Sequence, residues 1–288
     1  MSGARRLREL LDRGSPVVVP LALDPISARW AEAAGFEVLY LGGGTLGYQK
    51  TATEANISLT QMVQAGVEIG AASELPVILD GTCGWGDPMH MHHTVAMAEA
   101  AGFAAIEIED QLVPRRAHHH VGIEHLIPTE LMVAKIQESV AARRDPDFVI
   151  IARTNACRTD DAEEALRRCE AYRAAGADVI YPLHRETEQA RFIGERFDGP
   201  LLYAWWAGPT RDGEMGLDEL GRLGYRLVVD GGTPFFAAQK ALRLCYEALA
   251  KGLPDPTIGA DHFAEERLVH QVIDLPKLLD VELRTVER

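Results

Sequence analysis

The sequence predicts an α/β fold, a (β/α)8 TIM barrel carrying extra C-terminal helices. Three observations lead there. Apolar, β-branched runs recur along the chain, each followed by a stretch with helical spacing, and eight such pairs fill residues 16–252. The runs are apolar throughout instead of alternating, the pattern of parallel strands covered on both faces. No GxGxxG turn follows the first run, which removes the fingerprint of the runner-up, an open doubly wound sheet. Eight units in that length match a barrel in count and size.

The units follow one another without a linker. PVVVPLAL (16–23) precedes ISARWAEAAG, VLYLGGG (38–44) precedes SLTQMVQAGVEIGAA, and LPVILDG (75–81) precedes MHHTVAMAEAAG. AAIEIED (104–110) leads to PTELMVAKIQESVAARR, DFVIIART (147–154) to DAEEALRRCEAYRAAG, and DVIYPL (178–183) to ETEQARFIGERF. GPLLYAWW (199–206) leads to LDELGRLG, and YRLVVDGG (225–232) to FFAAQKALRLCYEALAKG. Several helical stretches close on Ala-Gly, a natural helix stop. Ahead of the barrel, MSGARRLRELLDRGS reads as a short amphipathic helix, since it lacks the apolar centre of a signal peptide. The barrel with this helix spans 1–251, and residues 252–288 read as a helical extension. Apolar positions there, such as Leu268, Val272 and Leu279, need a partner surface, either a neighbouring subunit or the chain's own barrel.

Composition narrows the function. Of 288 residues, 47% are hydrophobic and 25% charged, and the net charge is −14. An acidic chain without a basic run argues against nucleic acid as a partner. It leaves anionic small molecules open, because a few local arginines outweigh the global field. No apolar run reaches the length of a membrane span. The scattered Cys83, Cys157, Cys169 and Cys245 read as reduced thiols, and the expected location is the cytoplasm.

Barrel chemistry gathers at the C-terminal strand ends. Those ends carry Tyr40 and the run 42–44 followed by Thr45, then Asp80, then Glu107, Glu109 and Asp110, then Arg153, Thr154 and Asn155, and finally Tyr203, Trp205, Trp206 and Asp230. Asp80 and Glu109 on adjacent strands suit a hard divalent cation, which takes oxygen ligands. The bland alternative is a pair of rim ion pairs. Glycines 42–44 and Thr45 offer backbone N–H groups to a carboxylate or phosphate, or simply make a tight turn. Arg153 closes a strongly apolar strand and needs an anionic partner, substrate or protein.

The histidines cluster as His90, His92, His93 and as His118, His119, His120. Without HExxH or paired cysteines they do not read as a zinc site. His119 is the one expected to reach the substrate. Trp85, Tyr203, Trp205 and Trp206 suggest a pocket with apolar walls, or rim packing.

The stretches LYLGGG, LPVILDGTCGWGDP, IEIEDQLVPRRAHHH and DFVIIARTNA stand in the order and spacing of a known family. From about residue 16 to 250 the chain resembles the isocitrate lyase / phosphoenolpyruvate mutase superfamily, in particular its methylisocitrate lyase and oxaloacetate decarboxylase-like branch. The resemblance implies a barrel, a homotetramer with exchanged C-terminal helices, and Mg²⁺ (or Mn²⁺) acting on a 2-oxo or 2-hydroxy acid through an enolate. By position, Asp80 is the principal metal ligand and Glu109 joins its shell. Gly43 and Gly44 bind a substrate carboxylate, Arg153 holds the substrate, Tyr40 helps proton transfer, Glu54 falls near a family acid, and 111–125 is a gate.

The departures shape the functional expectation. The family's DxDxGYG appears as DGTCGWG, so Thr82 replaces an acid, and Asp87 is the nearby residue that compensates if any does. The lyases' gate KRCGH reads RRAHH, with Ala117 for the acid Cys and Arg115 for Lys. Leu183 stands for a glutamate after strand six, and Gly42 for a serine. These changes argue against isocitrate and methylisocitrate as substrates. The expected activity is a Mg²⁺-dependent lyase that cleaves or decarboxylates a small 2-oxo or 2-hydroxy dicarboxylate, with His119 replacing the lost acid and Arg115 touching substrate. The alternatives are a phosphonopyruvate-type P–C enzyme, with Arg115, Arg116 and the gate histidines holding a phosphonate, and a non-catalytic 2-oxo-acid-binding descendant.

Overall fold

The computed structural model describes residues 1–159, 161–205, 213–258 and 262–287. Eight parallel strands form one sheet: β1 (Val17–Pro20), β2 (Leu39–Leu41), β3 (Val77–Asp80), β4 (Ala105–Glu109), β5 (Val149–Thr154), β6 (Val179–Pro182), β7 (Leu201–Trp205) and β8 (Tyr225–Asp230). Each strand from β2 to β8 pairs with the next, and β8 pairs with β1. A parallel bridge between Leu21 and Tyr40 closes the ring. The expected (β/α)8 barrel is therefore the observed fold. Most strand residues are buried, which is why the runs carry no polar alternation.

The helices alternate with the strands: α1 (Gly3–Asp12), α2 (Pro25–Ala33), α3 (Gly43–Gln49), α4 (Leu59–Ala72), α5 (Met91–Ala100), α6 (Thr129–Ala142), α7 (Ala162–Ala174), α8 (Thr187–Gly194), α9 (Leu217–Arg222) and α10 (Thr233–Leu249). The amphipathic N-terminal segment is α1, capped by Ser2 and burying Ala4, Leu7 and Leu10. Helix α3 was not expected. Its sequence GGTLGYQ opens on glycines, which disfavour helix. Here small residues are required by contact: a Cβ on Gly47 would lie 2.7 Å from the Thr53 carbonyl carbon.

The extension forms α11 (His262–Val272) and α12 (Leu275–Thr285), neither of which has a buried residue. Helix α11 touches α2 and α12, while Leu268, Leu278, Leu279 and Leu283 stay exposed. Helix α10 buries only Phe235 along its length. No helix of the described residues is long and apolar enough to cross a membrane.

One contact ties the fold to its mouth. Gly81 follows β3, and its N–H donates to the Glu107 carbonyl at 2.8 Å. A Cβ at Gly81 would collide with that carbonyl and lie 2.7 Å from Ile106 Cγ1. Gly81→Ala should therefore cost about 1–3 kcal/mol, as overpacking does, read as a lowered urea midpoint; an unchanged midpoint would show that β3 and β4 can separate there freely.

Candidate active site

The C-terminal strand ends surround a cavity of about 250 Å³. Asp80 lies in its floor, buried, at the end of β3. Its Oδ2 accepts from the Gly43 N–H at 2.9 Å, and its Oδ1 from the Thr82 N–H at 3.0 Å. It enters no ion pair among the described residues. Thr82, which stands where an acid was expected, has φ 47°. That left-handed conformation is costly for a β-branched residue. Asp80 holds the Thr82 N–H, and the Thr82 carbonyl accepts from the Glu109 N–H at 2.8 Å.

Glu54, on the turn Glu54–Asn56, is buried and lines the same cavity. A Cβ on Gly43 would lie 3.2 Å from Glu54 Cγ and 3.3 Å from Asp80 Oδ2, so the two acids flank one glycine. Burial holds the Glu54 carboxyl above its ordinary range, with the Arg115 guanidinium acting against it.

Three expectations shift here. Glu109 does not line the cavity. Its Oε2 accepts from Asn155 Nδ2 at 2.8 Å and lies 3.3 Å from Arg153 Nη2, and its Oε1 meets Arg115 Nη1. Arg115, expected on the substrate, is buried instead and also lies 3.2 Å from Glu54 Oε1. The physical reason is charge: two buried carboxylates demand a countercharge, and the gate brings one. Gly43 shifts too, because its N–H is given to Asp80. Gly44 and Thr45 line the cavity at the start of α3, where first-turn N–H groups lack intrahelical partners.

Tyr40, Glu107 and Arg153 form one buried chain. The Tyr40 hydroxyl donates to Glu107 Oε2 at 2.9 Å, and Arg153 Nη1 donates to Oε1 at 2.9 Å. Arg153 Nε and Nη2 reach Asn155 Oδ1 at 3.2 and 3.1 Å. Its guanidinium also lies 5.2 Å from the Tyr181 ring centroid, within cation–π range. Burial, then the Asp80 charge, push the Glu107 carboxyl up to about 7. Burial and the same acids keep the Tyr40 hydroxyl protonated. Asp110, beside Glu109 in sequence, points away into structure, accepting from Thr154 Oγ1, Tyr172 and Arg168.

The gate supplies the roof. His119 and His120 line the cavity, as does Arg158 from the turn Ala156–Arg158. His119 Nδ1 lies 2.6 Å from Glu124 Oε2, and Arg158 Nε lies 3.1 Å from Glu124 Oε1. Burial holds His119 down to about 4, in spite of the Glu124 hydrogen bond. The ring is therefore neutral at neutral pH, so the resident proton expected of an acid catalyst is missing.

The far wall is Tyr181, Leu183, Ala204, Trp205, Val229 and Phe236. Of the expected aromatic set, Trp205 alone among the described residues lines the cavity. Tyr203 is buried against His184 at a centroid distance of 4.4 Å, and Trp85 donates to the Ile57 carbonyl at 2.9 Å. Trp206 lies outside the described residues.

A divalent cation fits the donor set of the floor. Asp80 and Glu54 offer only oxygen, and no group of three or more His, Cys, Asp or Glu is arranged to hold a metal among the described residues. A site with so few protein ligands suits Mg²⁺, which keeps several waters and substrate oxygens. Glu124, Arg158, Tyr48 and Tyr181 were not singled out by the sequence. Arg158 follows Arg153 by five residues and Glu124 follows His119 by five, a proximity that only the loop fold makes meaningful.

The family model described as phosphoenolpyruvate phosphomutase matches residues 7–250. An oxaloacetate decarboxylase of Pseudomonas putida (strain GB-1) is 40% identical over 242 residues, covering 83% of this chain and 81% of that protein. A 2,3-dimethylmalate lyase of Eubacterium barkeri is 33% identical over 293 residues, covering 98% of each. The crystal structure of phosphonopyruvate hydrolase in complex with oxalate and Mg²⁺ superposes with a TM-score of 0.86 at 27% identity, covering 99% of this chain and 100% of that one.

The depressed His119 carries a pH signature. From pH 6.5 down to about 4 the unfolded imidazole takes a proton that the folded one refuses. Stability falls through that window as pH is lowered. His119→Asn removes this loss, so its urea midpoint should gain on the wild type during acidification; a difference independent of pH would contradict the buried neutral ring.

Proposed function

The chain belongs to the isocitrate lyase / phosphoenolpyruvate mutase superfamily, and from that premise we propose that it is a Mg²⁺-dependent lyase of small 2-oxo or 2-hydroxy dicarboxylic acids. It cleaves or decarboxylates a carbon–carbon bond and leaves an enolate. The observation that carries this reading is Asp80: a buried carboxylate fixed by two backbone N–H groups, paired with no arginine, beside Glu54. The superfamily depends on a divalent metal. The named activities of the 40% and 33% identical relatives favour carbon–carbon over carbon–phosphorus chemistry. They equally favour an enzyme over a binding descendant.

Asp80 and Glu54 would hold the cation, and its chemistry there would be that of a Lewis acid. Gly44 and Thr45 receive one carboxylate through backbone N–H groups. Arg153, oriented by Glu107 and Asn155, stabilises negative charge that develops on the substrate, and its orientation is settled before the substrate arrives. Arg158 and the Trp205 indole N–H, which has no hydrogen-bond partner among the described residues, face the second carboxylate. The closed gate keeps water from the enolate. Tyr40 gives its one proton to Glu107 in a hydrogen bond and so meets the substrate end nearest β2 as an acceptor.

A second copy of the chain covers the exposed apolar positions of α10, α11 and α12 within the expected homotetramer. The four free cysteines suit a reducing cytoplasm.

Outer partners of a metal ligand already cost 10–100-fold when removed, so Asp80→Asn should weaken Mg²⁺-dependent oxalate binding by at least about 100-fold in calorimetry. Release of pyruvate from 2-oxo and 2-hydroxy dicarboxylates should fall with it. Wild-type affinity in the variant would remove the basis of this reading. Deleting 252–288 should reduce the assembly size by light scattering; an unchanged tetramer would place the subunit contacts elsewhere.

A further inference from the structure

Glu124 has no place in the chemistry above, yet it is the most enclosed acid of the gate. Its side chain is 0% exposed, although Arg158 beside it keeps 16% exposure. Its Oε2 takes His119 Nδ1 at 2.6 Å and the Gln111 amide as well, and its Oε1 lies 3.1 Å from Arg158 Nε. With Nδ1 committed, Nε2 is the His119 nitrogen left for the cavity that the ring lines. A carboxylate on one ring nitrogen fixes the tautomer and stabilises the imidazolium once it forms.

We propose that Glu124 is a positioning residue that makes His119 a proton acceptor for the hydroxyl of a 2-hydroxy dicarboxylate. The substrate class of this site is then 2-hydroxy acids cleaved between C2 and C3. This inference rests on the lyase reading above and narrows it.

The other cavity groups do not suit that task. Tyr40 keeps its proton and donates it to Glu107, while Asp80 and Glu54 are committed to the cation. The neutral His119 ring is ready to accept. The step balances without a co-reactant. The hydroxyl proton passes to His119 Nε2, the C2–O electrons form the carbonyl, and the C2–C3 bond breaks with its pair moving to C3. The carbanion at C3 is spread into its adjacent carboxylate. The imidazolium, paired with Glu124, then returns the proton to C3, and a 2-oxo acid and a saturated acid leave. Decarboxylation of a 2-oxo acid has no hydroxyl proton to remove, so an oriented base on the gate has no role in it. Loss of the gate cysteine to Ala117 is compatible, because one imidazole both takes and returns the proton.

The charged groups that face His119 set its titration. Burial weighs most, Arg115 from the gate and Arg153 from β5 add to it, and Glu124, itself paired with Arg158 from the turn after β5, opposes them. A base must be unprotonated, so the acidic limb of kcat/KM reports His119. Removing the Glu124 charge destabilises the imidazolium and moves that limb to lower pH.

The experiment compares wild type, Glu124→Gln, Glu124→Asp and His119→Asn. It assays the 2-oxo acid released, glyoxylate from malate and 3-methylmalate and pyruvate from 2-methylmalate, 2,3-dimethylmalate and oxaloacetate, with Mg²⁺–oxalate calorimetry alongside. The wild type should cleave at least one of these acids. Glu124→Gln should lower kcat about 100-fold or more, the low end of general-base contributions. Its KM and oxalate affinity should move less than threefold, its acidic limb should shift down, and Glu124→Asp should recover part of the rate. Four outcomes overturn the inference. The wild type binds Mg²⁺ and oxalate but releases pyruvate only from oxaloacetate, which leaves the lyase reading standing. Glu124→Gln cleaves at the wild-type rate. Or its kcat and oxalate affinity fall together with an unmoved pH limb, which is a purely structural role. A wild type that binds neither Mg²⁺ nor oxalate removes the lyase reading, and this inference with it.

Discussion

Everything at the barrel mouth depends on how Asp80 is held. A carboxylate buried without a countercharge is expensive unless hydrogen bonds and a cation answer it. Two backbone N–H groups answer it here, one from the start of α3 and one from Thr82. The first requires Gly43, because a side chain at that position would press on Glu54 and on Asp80 itself. The second requires Thr82 to sit in the left-handed region. Strain of that kind, pinned from both sides, is the sort that structures keep at functional sites. The acid so placed presents its remaining oxygen lone pairs to the cavity.

Around it the charges alternate. Glu107 and Glu109 lie two residues apart on β4 and therefore share a face. Arg153, opposite Glu109 in the β4–β5 register, bonds Glu107 and reaches Glu109. Arg115 comes from the gate and stands between Glu109 and Glu54. Such buried pairs add little net stability, because desolvation cancels most of their attraction. What they fix is orientation: Tyr40, Arg153 and the gate are each held by an acid that the substrate does not touch. The gate's closure is thereby linked electrostatically to the floor it covers.

The barrel was legible because buried parallel strands write themselves as unbroken apolar runs, and all eight were found. Helix α3 was not, since its glycines answer to close contacts with the 53–54 backbone and with Asp80, and not to helix propensity. The acids at the strand ends were legible as a group, but their partners were not. Glu109 looked like a ligand until the register set Arg153 beside it and the loop delivered Arg115. Glu54 was reached only through the family resemblance, because it sits on a short turn far from any strand end. Tyr203 and Trp205 read alike in sequence, yet Tyr203 donates to Glu214 and stacks on His184, away from the cavity. The tail helices carried apolar positions without a local pattern to say what covers them.

The most direct measurement is a crystal structure of the enzyme soaked with Mn²⁺ and oxalate, with the ion located by its anomalous signal. One ion is expected on the Asp80 carboxylate, with Glu54 beside it and oxalate in the cavity that Arg153 lines. An ion bound away from Asp80, or an Asp80 carboxylate drawn into an ion pair with Arg115 while oxalate stays out, would contradict it.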